Sequence, residues 1–104
     1  MNKHLKDESL EKLFEAVLTL ETKEECYSFF RDLCTVPELK TLSQRFHVAK
    51  MLMEKRVYSD IVEETGASTA TISRVNRSLS EDYDSCGGYA LVFERMEEKN
   101  DGQG

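Results

Sequence analysis

Apolar residues recur along this chain at the spacing of helices. Leu10, Leu13, Phe14, Val17 and Leu18 stand at i, i+3, i+4, i+7 and i+8, which draws one apolar stripe along a helix over about residues 8–20. Thr22-Lys23-Glu24-Glu25 then has the form of a capping box, in which the threonine hydroxyl accepts from a first-turn N–H and Glu25 reaches back. It opens a second helix carrying Cys26, Tyr27, Phe29, Phe30, Leu33 and Cys34. Thr35-Val36-Pro37-Glu38 repeats the logic, with proline in the first turn, where its missing N–H costs nothing. The third helix places Leu39, Leu42, Phe46, Ala49, Leu52 and Met53 on one side, and Lys40, Gln44, His47 and Lys50 elsewhere, ending near Lys55. A short helix follows at about 58–64, then the turn Thr65-Gly66-Ala67. The next helix runs from Thr69 to about Asn76, with Ser68 as its N-cap. The polar stretch from Ser80 to Gly87-Gly88 is a loop, and Tyr89, Val92, Phe93 and Met96 mark a final amphipathic helix. No strand pattern and no internal repeat is visible. The fold class expected is all-α, about six helices in one domain over 1–99, with a disordered polar tail at 100–104.

The chain has 104 residues, a size that buries about two-thirds of its unfolded surface and leaves little to spare. Sharing a core with a second copy would help. No apolar stretch is long enough to span a membrane. Met1-Asn2-Lys3-His4-Leu5 leads into no signal-peptide core, which points to the cytoplasm. Cys26, Cys34 and Cys86 lack C-x-x-C spacing and are expected as buried or half-buried thiols. Only His4 and His47 could join them around a metal, so none is expected, and His47 suits a surface or flank position better than a ligand's.

A net charge of −6 argues at first against a nucleic-acid partner. Its distribution reverses that. From Leu39 to Ser80 there are seven basic residues (Lys40, Arg45, Lys50, Lys55, Arg56, Arg74, Arg77) against four acidic ones (Glu54, Asp60, Glu63, Glu64), and from Thr65 to Ser80 no acid at all. A local basic face suffices for phosphate binding, because charges beyond a Debye length are screened.

The segment that carries function overlaps that acid-free span: a helix-turn-helix at about 58–77. Such a motif needs a turn conformation that most residues avoid, and Gly66 supplies it. Its helices must touch, so inward positions must be apolar; Ile61, Val62, Ala67, Ile72 and Val75 meet that need. The outward positions of the second helix are Ser68, Thr69, Ala70, Thr71, Ser73 and Arg74, all but the arginine small or hydroxylated, where solubility alone would favour Glu and Lys. Small residues let a helix N-terminus approach base edges, and hydroxyls and methyls can meet them there. Arg77, like Arg74, lies further along, where phosphate contacts are expected. The plainer reading, a helical hairpin in an all-α protein, accounts for the apolar positions but not for these.

The stretch from Gly66 to Leu79, GASTATISRVNRSL, is very similar to the recognition-helix segment of the Trp repressor family. Leu42-Ser43-Gln44-Arg45, the Thr35-Val36-Pro37-Glu38 helix start and the Gly87-Gly88-Tyr89 entry to the last helix also resemble that family, most closely its YerC/YecD-type branch. The resemblance covers about 8–98. It implies an intertwined homodimer of six-helix subunits that binds double-stranded DNA. It assigns base reading to Thr69, Ala70, Thr71 and Ser73 and places Tyr58 and Ser59 near DNA. It also implies a corepressor pocket of Arg45, Arg74, Ser78 and Thr35. Two departures bear on that pocket. Arg45 is out of register by one residue when counted back from the recognition helix. Val75 stands where the repressor has a glycine, so a β-branched side chain fills space that an indole would need. Tryptophan is therefore not the ligand expected, and no resident cofactor is; the two readings left for Arg45 and Arg74 are a corepressor site for another small anion and simple contact with phosphates.

The function expected is a sequence-specific transcriptional regulator, a repressor acting on a palindromic operator. The alternative is a DNA-independent homodimeric adaptor on the same fold. An enzyme is not expected: no nucleophile–base pair, metal constellation or phosphate loop is visible, and Asp60, Glu63 and Glu64 form a solvated helix face.

Overall fold

A computed structural model describes residues 7–80 and 87–103; His4 and Cys86 lie outside them. The described residues form six α-helices and no strand: α1 (Glu8–Val17), α2 (Lys23–Leu33), α3 (Val36–Met53), α4 (Tyr58–Thr65), α5 (Thr69–Leu79) and α6 (Gly88–Gln103). No helix among them is long and apolar enough to cross a membrane. The final helix begins at Gly88, within the stretch read from sequence as loop, and continues through Gln103, into the segment read as a tail.

Side-chain caps fix the helix starts. Asp7 accepts from the Leu10 N–H at 2.7 Å and opens α1. Thr22 accepts from the Glu25 N–H at 3.1 Å while the Glu25 carboxylate accepts from the Glu21 N–H at 2.9 Å. Thr35 and Glu38 repeat this at α3, with the Thr35 N–H donating to Glu38 at 2.7 Å and the Glu38 N–H to Thr35 Oγ1 at 3.2 Å. Each box satisfies backbone donors that the first turn leaves without partners. The hydrogen bonds from the Thr35 backbone and hydroxyl hold the Glu38 carboxyl below its ordinary pKa. Their contribution to stability is thus present above the ordinary carboxylate range and is lost as pH falls through it.

Contacts divide the chain into two compact units, 1–40 and 41–104, where the hydrophobic pattern reads as one domain. In the first, neither α1 nor α2 has a buried residue. Leu10, Leu13, Val17, Phe29 and Phe30 are half-buried, and Phe14, Leu18, Tyr27 and Leu33 are exposed, Leu18 by 83%. Cys34 is half-buried, but Cys26 is exposed, against the sequence expectation, as is every residue of α2 except Phe29 and Phe30.

The second unit has a true core of Val48, Ala49, Met51, Ile61, Ala67, Ile72, Val75 and Phe93, flanked by Leu52, Leu79 and Tyr89. The end of α3, both helices of the 58–79 hairpin and α6 all contribute. Phe93 anchors α6, with its ring centroid 4.9 Å from that of Phe46 and the Lys50 ammonium 5.6 Å from its ring.

The one-sided apolar stripe read for α3 is corrected here. Val48 and Met51 are buried, whereas Leu42, Phe46 and Met53 are exposed. At about 100° per residue, Met51 lies on the opposite side of the helix from Leu42. α3 therefore carries apolar residues on two sides: on the side of Leu42 and Met53, Ala49 is fully buried and Phe46 packs on Phe93, while Leu42 and Met53 themselves stay exposed.

Candidate nucleic-acid interface

The 58–79 hairpin is built around Gly66, whose φ of 73° ends α4 in the left-handed region. A Cβ there would meet nothing within 4 Å, so glycine is required by backbone conformation and not by space. Thr65 Oγ1 donates to the Ile61 carbonyl at 2.7 Å and accepts from the Ala67 N–H at 3.1 Å. Ala67 then drops into the core at 2% exposure. Ser68 caps α5, accepting from the Thr71 N–H at 3.1 Å and donating to Thr71 Oγ1 at 3.1 Å.

Of the inward positions read from sequence, Ile61, Ala67, Ile72 and Val75 are buried. Val62 is not. It is 37% exposed, because α4 turns only one side to α5 and the core, and Ile61 takes it. Burial of Ile72 and Val75 directs the rest of α5 outward: Ser68, Thr69, Ala70, Ser73, Arg74 and Arg77 are exposed, and Thr71 is half-buried. Tyr58 and Ser59, at the start of α4, are exposed as well. The first turn of α5 carries no acid, so the partial positive charge of the helix N-terminus is not offset there. At α4 the N-cap is Val57, which provides no side-chain hydrogen bond.

The residues named for a ligand pocket fall in both units. Thr35 belongs to the first, where its hydroxyl caps α3. Arg45, Arg74 and Ser78 belong to the second, and Ser78 Oγ donates to the Arg74 carbonyl at 3.4 Å. In α3 the side chain directed at the hairpin is Gln44, whose amide donates to the Thr65 carbonyl at 3.2 Å. Consecutive helical residues diverge by about 100°, so half-buried Arg45 faces another direction.

Sequence reasoning did not single out this connection, nor the charged cluster beside it. His47 Nε2 lies 3.2 Å from the Glu64 carboxylate, and Arg56 lies 3.6 Å from Glu64 and 3.8 Å from Asp60. The available signal was positional. Gln44 and His47 are polar, one turn apart, and flank Val48 and Met51 on the face that meets the hairpin. Among the described residues no group of His, Cys, Asp and Glu could hold a metal ion.

Residues 8–97 match the model of the Trp repressor protein family. The chain is 48% identical over 94 residues to the uncharacterised protein YerC of Bacillus subtilis (strain 168), covering 90% of this chain and 88% of YerC. It is similar in structure to a TrpR-like protein from Eubacterium eligens ATCC 27750, with a TM-score of 0.85, 56% identity and coverage of 92% and 96% of the two chains. A Trp repressor candidate from Staphylococcus aureus follows, with a TM-score of 0.84, 50% identity and coverage of 91% and 92%.

Proposed function

The chain belongs to the Trp repressor family, a regulatory DNA-binding family and not an enzymatic one, and from that premise we propose that it is a homodimeric repressor of a palindromic operator. The observation that carries this reading is the exposed, acid-free and small-residue surface of α5 on a helix held from behind by buried Ile72 and Val75. Thr69, Ala70, Thr71 and Ser73 read base edges. Arg74 and Arg77, with Tyr58 and Ser59 at the start of α4, meet the phosphates. Ser68 acts through the cap, since its hydroxyl is engaged by Thr71. Fluorescence polarisation on duplexes selected from a random pool, repeated across salt, tests the proposal: binding weakens steeply with salt if phosphates are neutralised. An adaptor on the same fold would bind no duplex in a salt-dependent way.

Within the motif, Arg77→Ala is expected to weaken binding to all sequences alike and to flatten the salt dependence. Thr71→Ala is expected to change base preference at one position in each half-site. If both variants merely scale affinity, Thr71 does not read a base.

Dimerisation rests on uncovered apolar surface. The first unit buries no side chain of α1 or α2, and α3 leaves Leu42 and Met53 exposed, with Phe46 only partly covered by Phe93. A soluble monomer rarely exposes so much. A symmetric dimer would set two α5 helices about 34 Å apart, one DNA turn. Sedimentation at micromolar concentration should give twice the chain mass; a monomer there contradicts the proposal.

Free tryptophan is not the corepressor in this reading. Val75 is 3% exposed and part of the core, so it occupies its space fully, and forcing an aromatic ring against a filled site costs about 1–3 kcal/mol. Arg45 and Arg74 serve phosphates instead, consistent with the Thr35 and Ser78 hydroxyls already being engaged by backbone groups. Calorimetric titration with tryptophan should show no micromolar binding. Such binding, together with tighter operator affinity, would reverse the assignment.

A further inference from the structure

α3 reaches the last two residues of α4 through two side chains one turn apart: Gln44 to the Thr65 carbonyl, and His47 to the Glu64 carboxylate. The first contact differs in kind from the second. His47 and Glu64 are both about half exposed, and such pairs contribute little. The Gln44 bond is part-buried and spans 21 residues of chain. It is made to a carbonyl at a helix C-terminus, which has no partner within its own helix.

The neighbouring polar groups are satisfied locally. The Gly66 N–H donates to the Val62 carbonyl at 2.9 Å, the Thr65 hydroxyl to Ile61, and the Ala67 N–H to Thr65. Gln44 thus ties the peptide unit entering the left-handed Gly66 turn to a helix outside the hairpin. The turn sets the direction in which α5 leaves α4.

We propose that Gln44 is a positioning residue for sequence discrimination by α5, a role that rests on the DNA-binding reading above. Non-specific binding depends on charge and tolerates small reorientations of a helix. Hydrogen bonds to base edges do not, because they weaken steeply away from linear geometry. Loosening the turn therefore degrades recognition of a selected site while leaving general affinity for duplex DNA in place.

Gln44→Met keeps the length of the side chain and removes the donor; Gln44→Lys restores a donor at comparable reach. Each is measured at a temperature where far-UV circular dichroism shows it fully folded, on a duplex selected by the native protein from a random pool and on an unrelated duplex of equal length. Gln44→Met is expected to lose roughly tenfold on the selected duplex and less than about twofold on the unrelated one, with Gln44→Lys recovering most of the loss. A purely structural role would lower the unfolding midpoint and move both duplexes together. The proposal is overturned if Gln44→Met keeps its affinity for the selected duplex, if both duplexes weaken alike, or if Gln44→Lys is as impaired as Gln44→Met. If the native protein itself binds neither duplex in a salt-dependent way, the DNA-binding reading fails, and with it this role for Gln44.

Discussion

Ile72→Ala is expected to remove about 2–5 kcal/mol of stability, a large share of what a chain of this size has. Ile72 is fully buried in the second unit, in a cluster that joins α3, α4, α5 and α6. Truncation loses the transfer free energy of the missing carbons and leaves a cavity. The lining of that cavity includes α5 itself, so collapse would displace the surface proposed to meet DNA. Val62→Ala is the control. It removes two methyl groups from the adjacent helix, but at 37% exposure, and should cost less than about 1 kcal/mol. Urea denaturation of the two variants beside the native protein gives the comparison, read from midpoints at unchanged slope. Equal losses would mean that the hairpin core is not organised around Ile72.

These two residues also show what the sequence makes legible. Local chemistry is written plainly. Thr22/Glu25 and Thr35/Glu38 cap their helices reciprocally, Gly66 takes the left-handed turn and Ser68 caps α5, because each depends on residues no more than four positions apart. Periodicity likewise locates Ile72 and Val75. It fails where a helix has more than one apolar side. In α3, Leu42, Phe46, Ala49 and Met53 form the more regular stripe, yet the buried residues are Val48, Ala49 and Met51, only one of which belongs to it. Spacing alone cannot say which stripe a neighbour within the chain will cover. Ile61 and Val62 pose the same ambiguity in miniature, since adjacent residues on a short helix cannot both face one partner. Gln44 and His47 were hidden for a related reason: their acceptors lie on α4, far along the chain, and the Gln44 acceptor is a backbone carbonyl that no side-chain pattern advertises.

Ala70→Glu should separate folding from DNA binding more sharply than any other single change. Ala70 is exposed in the first turn of α5, two residues after the Ser68 cap, in a turn with no acid of its own. For folding, a carboxylate there is favourable. It lies against the partial positive charge of the helix N-terminus, which contributes about 0.3–1 kcal/mol at an exposed site, and it disturbs no core contact. For DNA binding the same carboxylate is destructive. It sits on the surface proposed to enter the major groove, between two rows of phosphates, with no cation introduced to offset it. Like charges brought together at an interface cost several kcal/mol, which corresponds to a loss on the order of 100-fold or more. In a symmetric dimer the penalty falls on both half-sites. The expected result is an unfolding midpoint equal to or above that of the native protein, with affinity for a selected duplex reduced to the detection limit at roughly 0.15 M salt. If the folded variant still binds within about tenfold of the native protein, α5 does not lie in the groove, and the hairpin must contact DNA by another face or not at all.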